Sequence, residues 1–242
     1  MYARNLRTFL RRHLPGLYRP LRRAYAFGEY ARWRLAANDD AAAEAYDPDF
    51  WDLHADGEWD WSGFAACILK YSGARSVIDV GCGDAKLLAA MQQLSPGLEL
   101  RGYDGSPTAR ARAAQRGVAV QPLDIPALSR AARAALAADC ASFDLALCLE
   151  VAEHLLPWHA GRLLALLTAC PTVVFSAAQP GQGGTLHVNE RPEAYWIRRF
   201  DALGYEVGED DADFRRALAA VRVPPWYADN AHLFRRRRTE TR

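Results

Sequence analysis

From Ser76 onward the chain of 242 residues repeats one pattern that few folds can satisfy. Short apolar runs at Ser76–Val80, Leu98–Tyr103, Val118–Leu123, Phe143–Leu149 and Thr172–Ala177 are separated by stretches long enough for helices. Strands that alternate with helices must lie parallel, joined by right-handed crossovers, with helices on both faces of the sheet. Past Gly204 the pattern changes. A strand near Tyr205–Gly208, a helix near Asp213–Val221 and an apolar run around Ala231–Phe234 follow, and the two last strands can pair as an antiparallel edge. The predicted fold class is therefore α/β, a doubly wound seven-stranded sheet with an antiparallel edge strand.

The first strand runs into Asp79-Val80-Gly81-Cys82-Gly83-Asp84-Ala85, with a helix expected from about Lys86. Glycines at a strand-to-helix turn let backbone approach a ligand, and the helix start offers unpaired N–H groups. About twenty residues later Asp104 ends the second run, where a carboxylate can grip both hydroxyls of a ribose. A third Gly three residues past Gly83 would suit a dinucleotide, but Lys86 stands there. The pattern points to a different nucleoside.

With its acid two residues before the first glycine, the loop resembles motif I of the class I S-adenosylmethionine-dependent methyltransferases, which reads acid-x-Gly-x-Gly-x-Gly. It departs at Ala85, which is expected to fit with a negative φ. The likeness continues in order through Asp104-Gly105-Ser106, Leu123-Asp124-Ile125 and the strand Phe143–Leu149, and spans roughly residues 50–234. It implies a Rossmann-like fold and a cofactor, S-adenosylmethionine, held by Asp79, Gly81, Cys82, Gly83, Asp104, Gly105, Asp124, Ile125 and Leu149. Each acid alone also has a plainer use as a helix cap, Asp124 above all.

The fourth run leads into Glu150-Val151-Ala152-Glu153-His154. If a helix opens here, Glu150, Glu153 and His154 stand at i, i+3 and i+4 on one face, at the sheet edge where ligands bind. Hard oxygens with an imidazole suit magnesium, manganese or zinc. The same groups suit general-base work on a hydroxyl. The plainer reading makes both glutamates caps facing the helix dipole. A second histidine, His187, arrives in a long glycine-rich loop, Gln179-Pro180-Gly181-Gln182-Gly183-Gly184-Thr185-Leu186-His187-Val188-Asn189-Glu190. Long polar loops at a binding edge are usually functional.

That loop, with the later Trp226-Tyr227-Ala228-Asp229-Asn230, resembles a methyltransferase subgroup carrying Gly-Gln-Gly-Gly-x-x-His-x-Asn-Glu and Trp-Tyr-x-x-Asn. Some of its members are associated with bacterial polysaccharide or glycolipid assembly. The Glu-x-x-Glu-His element is also similar to that of small-RNA 2′-O-methyltransferases, where it holds a metal with a downstream His. The likeness implies an O-methyltransferase for a sugar or glycan hydroxyl. Glu150, His154 and His187 are then the catalytic candidates, and Glu150, Glu153, His154 and His187 a candidate set for a divalent cation such as Mg or Mn. Two alternatives stand beside it: a small-molecule N- or O-methyltransferase for a quinone or natural product, and a non-catalytic cofactor-binding module. His13, His54, His159 and His232 are expected to be structural or exposed.

Net charge is +1, but its distribution is uneven. Residues 1–35 carry nine Arg and one acid for +8, residues 36–234 sum to −11, and residues 235–242 to +4. The acidic body argues against nucleic acid, which needs contiguous positive surface. Residues 1–45 are expected to be a basic helical extension, and 46–242 the catalytic domain. With Leu6, Phe9, Leu10, Leu14 and Leu17 opposite Arg4, Arg7, Arg11 and Arg12, the extension suits an amphipathic helix on an anionic membrane. It equally suits packing onto the acidic body. Five cysteines without a CxxC pair, and no apolar signal segment, lead to an expected cytoplasmic location, peripheral to the inner face of the membrane if the extension binds lipid. The acceptor and the oligomeric state are not legible.

Overall fold

The computed structural model describes residues 59–238 and nine isolated positions between 14 and 31. Of those nine, Gly16, Pro20, Leu21, Ala24, Tyr25, Phe27, Gly28 and Ala31 are helical, and Leu14, Leu21, Tyr25 and Phe27 are exposed. The rest of the basic extension, with His13, and the residues up to Glu58, with His54, lie outside the described residues.

The elements alternate as the apolar runs predict. They are α1 (Trp61–Ser72), β1 (Ser76–Val80), α2 (Lys86–Leu94), β2 (Glu99–Asp104), α3 (Pro107–Gln115), β3 (Val120–Pro122), α4 (Arg130–Cys140) and β4 (Leu145–Leu149). Then come α5 (Pro157–Leu167), β5 (Thr172–Ser176), α6 (Glu193–Asp201), β6 (Tyr205–Val207), α7 (Asp211–Ala219), α8 (Pro225–Asn230) and β7 (His232–Arg236). The seven strands lie in the order β3-β2-β1-β4-β5-β7-β6. β1 pairs in parallel with β2 and β4, and β5 in parallel with β4, while β7 runs antiparallel to both β5 and β6.

Strand order reverses between β1 and β4, because the chain winds outward to β3 before returning. Ligands bind beyond the carboxyl ends of strands at such a point. Every residue of β1, β4 and β5 is buried, as parallel strands covered on both faces require. Successive side chains point to opposite faces and supply two separate cores. Ile78, Ala146, Cys148 and Phe175 pack with Leu163, Leu167, Trp196 and Phe200 on one side. Val77, Leu145, Leu147 and Val174 pack with Phe64, Ile68, Met91 and Phe214 on the other. All five cysteines are free thiols, and among the described residues no helix is long and apolar enough to cross a membrane.

Candidate active site

The turn after β1 is built by backbone geometry. Gly81 and Gly83 have φ of +87° and +56°, in the left-handed region that side chains resist. A Cβ on Gly81 would also enter the van der Waals envelope of Val151. The amides of Gly81 and Cys82 donate to the Tyr103 carbonyl at 2.7 and 3.1 Å, which ties the turn to the end of β2. Asp104 accepts from Gly83 N through Oδ2 at 2.8 Å and from Ser106 N through Oδ1 at 2.7 Å. Asp84 anchors the far side of the loop on Arg116 at 2.8 Å and Lys86 at 3.3 Å.

Ala85 corrects one expectation. It does not take a negative φ; its φ is +57°, at the cap of α2. The turn keeps the backbone that a third glycine would adopt, and the alanine carries the strain.

Asp79 is buried in the middle of this edge, and its Oδ1 has no hydrogen-bond partner. Burial, with Asp104 adding repulsion, pushes its pKa up to about 7. A buried carboxylate short of a partner is costly unless a donor or a cation arrives. Asp124 accepts from Ala127 N at 3.3 Å and so acts as a cap over a short 3-10 turn, Ile125–Ala127. Ile125 and Leu149 are buried, and a Cβ on Gly105 would stand 3.1 Å from the Leu123 carbonyl.

The acceptor-side elements differ from the sequence expectation. No α-helix opens at Glu150: its φ is +57°, the following helical turn is a single 3-10 turn at Ala152–His154, and α5 starts at Pro157. The strained Glu150 backbone is held by its N–H donating to the Ser176 carbonyl and Oγ, both at 3.1 Å. The i, i+3, i+4 arrangement therefore fails, and so does the helix-cap alternative for the two glutamates.

Three of the four predicted ligand candidates still meet. One ligand atom each from Glu153, His154 and His187 lies within 4.8 Å of the others. The two imidazoles sit edge to face with centroids 4.9 Å apart. Glu153 is fully buried, and its carboxyl faces the Ala178 amide and the Glu150 side chain without a hydrogen bond of normal geometry. Burial, and then Glu150 beside it, raises its pKa well above the usual range. Burial and the neighbouring His187 drive His154 down to about 3, against hydrogen bonds to the Thr185, Leu186 and Glu150 backbone. His154 is thus a neutral imidazole at any ordinary pH.

Glu150 stands outside this trio. Its Oε1 accepts from Asn230 Nδ2 at 3.1 Å and its Oε2 from Gln182 Nε2 at 2.8 Å, while Asn230 Nδ2 also donates to Gln182 Oε1 at 2.9 Å. Asn230 and Gln182 stand in motifs visible in the sequence, but no spacing rule assigns them this work. Tyr227 is the other residue that sequence reasoning missed. It packs against Trp61 and Phe64, and burial, with Glu150 and Asp79 near it, raises its phenol pKa. Tyr227 thus lies between the two halves of the site. His159 belongs to α5, and His232 is buried between Asp211 at 3.0 Å and Glu193 at 2.7 Å, a structural role.

Residues 78–170 match the family described as a methyltransferase domain. Solved structures share the fold at low identity. The sugar N-methyltransferase KedS8 from Streptoalloteichus sp ATCC 53650 is 17% identical, with a TM-score of 0.53 over 78% of this chain and 93% of that one. The plantazolicin methyltransferase BpumL, solved with a substrate analog and SAH, is 14% identical, with a TM-score of 0.54 over 89% and 100%. The mitomycin 7-O-methyltransferase MmcR is 16% identical, with a TM-score of 0.55 over 88% and 67%. No curated protein sequence matches the chain.

Proposed function

We propose that this chain, an S-adenosylmethionine-dependent methyltransferase, transfers the methyl group to a hydroxyl of a sugar or glycan. The carrying observation is the group of Glu153, His154 and His187 past the end of β4, with the Glu153 carboxyl fully buried. Methyl transfer as such needs only alignment of the reacting atoms. A hydroxyl acceptor must also lose a proton, and a cluster of this kind serves that need.

The cofactor edge fits its ligand by the same test. The left-handed turn at Gly81 and Gly83 presents backbone without side chains, and the buried Asp79 has no partner on Oδ1. Asp79, the Gly81–Gly83 turn and Asp104 would hold S-adenosylmethionine. Bound there, it supplies a methyl on a sulfonium whose sulfur leaves as a neutral thioether. His187 takes the acceptor proton, and the Glu150–Gln182–Asn230 set fixes the wall beside it.

The same cluster fits a divalent cation such as Mg or Mn. Glu153 offers two buried oxygens, and the neutral His154 offers a lone pair. Glu153, His154 and His187 would hold the ion, which would supply Lewis-acid activation of the hydroxyl. Support for a sugar comes from the glycine-rich loop and from the sugar N-methyltransferase sharing the fold. The mitomycin enzyme of the same fold keeps a small natural product as the second reading.

Transfer of labelled methyl to a panel of monosaccharides, glycans and lipid-linked saccharides tests the acceptor class. Product on saccharides is expected, and product only on quinones or small aromatics would overturn the reading. Titration of Mg and Mn into wild type and His187→Ala tests the cation. Full wild-type activity in excess chelator removes it.

A further inference from the structure

We infer that Glu190 is a positioning residue that sets the tautomer of His187, leaving the lone pair on Nε2. The inference rests on the proposed hydroxyl chemistry for its purpose, but not for its geometry.

Glu190 closes the glycine-rich loop on itself. Its Oε2 accepts from Gly181 N at 2.7 Å, and its Oε1 accepts from Gly183 N at 2.8 Å. The same Oε1 lies 3.3 Å from His187 Nδ1. A carboxylate has only acceptor sites, so the imidazole must present its N–H to it and Nδ1 carries the proton. A neutral imidazole then has its lone pair on Nε2, the nitrogen that either a base or a metal ligand must use.

Gly184 completes the device. A Cβ there would overlap His187 Nε2, Cε1 and Cδ2, so the ring lies against bare backbone. The loop therefore fixes both the place of the ring and the end that carries its proton. Among the described residues three donors meet this carboxylate, and Oε1 takes both the Gly183 N–H and the imidazole. Glu190→Ala removes the acceptor that holds the proton on Nδ1, so the Nε2–H form becomes populated.

Imidazole ¹⁵N spectra of the full chain test this, with His187→Ala assigning the signals. Wild type is expected to show His187 with Nδ1–H, and Glu190→Ala a signal from the Nε2–H form. In parallel, kcat for methyl transfer should fall about 10–100-fold while cofactor affinity stays unchanged. An Nε2–H tautomer in wild type overturns the inference, and needs no variant to be folded. So does an exclusively Nδ1–H tautomer in Glu190→Ala. If the tautomer switches but wild type methylates no hydroxyl, the proposed function has failed and the role of Glu190 stands.

Discussion

The two halves of the site are held together by different kinds of force. On the proposed cofactor side, residues 79–106 form one strand–turn–helix–strand unit whose contacts run mostly from backbone to backbone or to one carboxylate, Asp104. On the proposed acceptor side, Glu150–His154, Gln179–Glu190 and Tyr227–Asn230 come from three separate places in the chain. They meet through the Glu150–Gln182–Asn230 side chains and through the Val188 and Asn189 amides, which donate to the Glu153 carbonyl at 2.9 and 3.0 Å. The first half is a product of local geometry and should fail as a folding unit. The second is a product of tertiary placement and should lose activity while the fold survives.

The harshest test of that contrast is Gly81→Ala. It adds a side chain at φ +87° and overlaps Val151, which together should cost roughly 2–4 kcal/mol of stability. Chemical denaturation, with and without cofactor, reads the loss. A variant as stable as wild type would show that the turn relaxes freely and is no folding unit.

The matching change on the other side is Gly184→Ala. The nearest atoms to the intruding Cβ are those of the His187 ring, the end of a side chain, so stability should hold while the ring is displaced. Methyl transfer should fall about 10²-fold, the scale expected for a misplaced catalytic group. Unchanged cofactor affinity by calorimetry is part of the expectation. Loss of affinity in step with activity would join the two halves into one unit.

This division also explains what the sequence disclosed. The alternation of buried strands and helices, the glycine turn and the acid ending β2 follow from rules that act within about thirty residues. The Glu150–His154 stretch misled because its spacing fits an α-helix, while the backbone leaves β4 through a left-handed residue and a single 3-10 turn. Nothing in that spacing encodes the Ser176 contacts that hold Glu150 in its strained conformation. Gln182, Glu190, Tyr227 and Asn230 were visible as letters of motifs. Glu190 finds its partners within its own loop, but those of Gln182, Asn230 and Tyr227 lie far along the chain, 80 residues for Asn230 and Glu150, and only the fold joins them.

A smaller effect probes the electrostatics of the cofactor half. With its folded pKa raised from 3.8 to about 7, Asp79 contributes stability that is present below pH 3.8 and lost as pH rises through about 7. A cationic ligand reverses the preference, because it favours the ionised carboxylate. The Asp79 contribution to cofactor affinity should therefore be about tenfold smaller at pH 6 than at pH 8. Asp79→Asn supplies the reference that removes the titration of the cofactor's own amine. Parallel pH profiles for wild type and Asp79→Asn would mean that Asp79 does not change protonation on binding.

The smallest effect isolates backbone strain from everything else in the turn. Ala85 holds φ +57° at the start of α2, a conformation costing an L-residue about 1–2 kcal/mol. Ala85→Gly removes that cost but returns about 0.4–1 kcal/mol of freedom to the unfolded chain. The balance should be a gain of roughly 0.5–1 kcal/mol, read as a higher denaturation midpoint with an unchanged slope. Because Ala85 is fully buried, the lost methyl also leaves a small void, which sets against the gain. A net loss would mean that packing outweighs strain at this position, and that the departure from a third glycine stabilises the turn. A gain would mean that the turn tolerates alanine only because Gly81, Gly83 and Asp104 already fix its path.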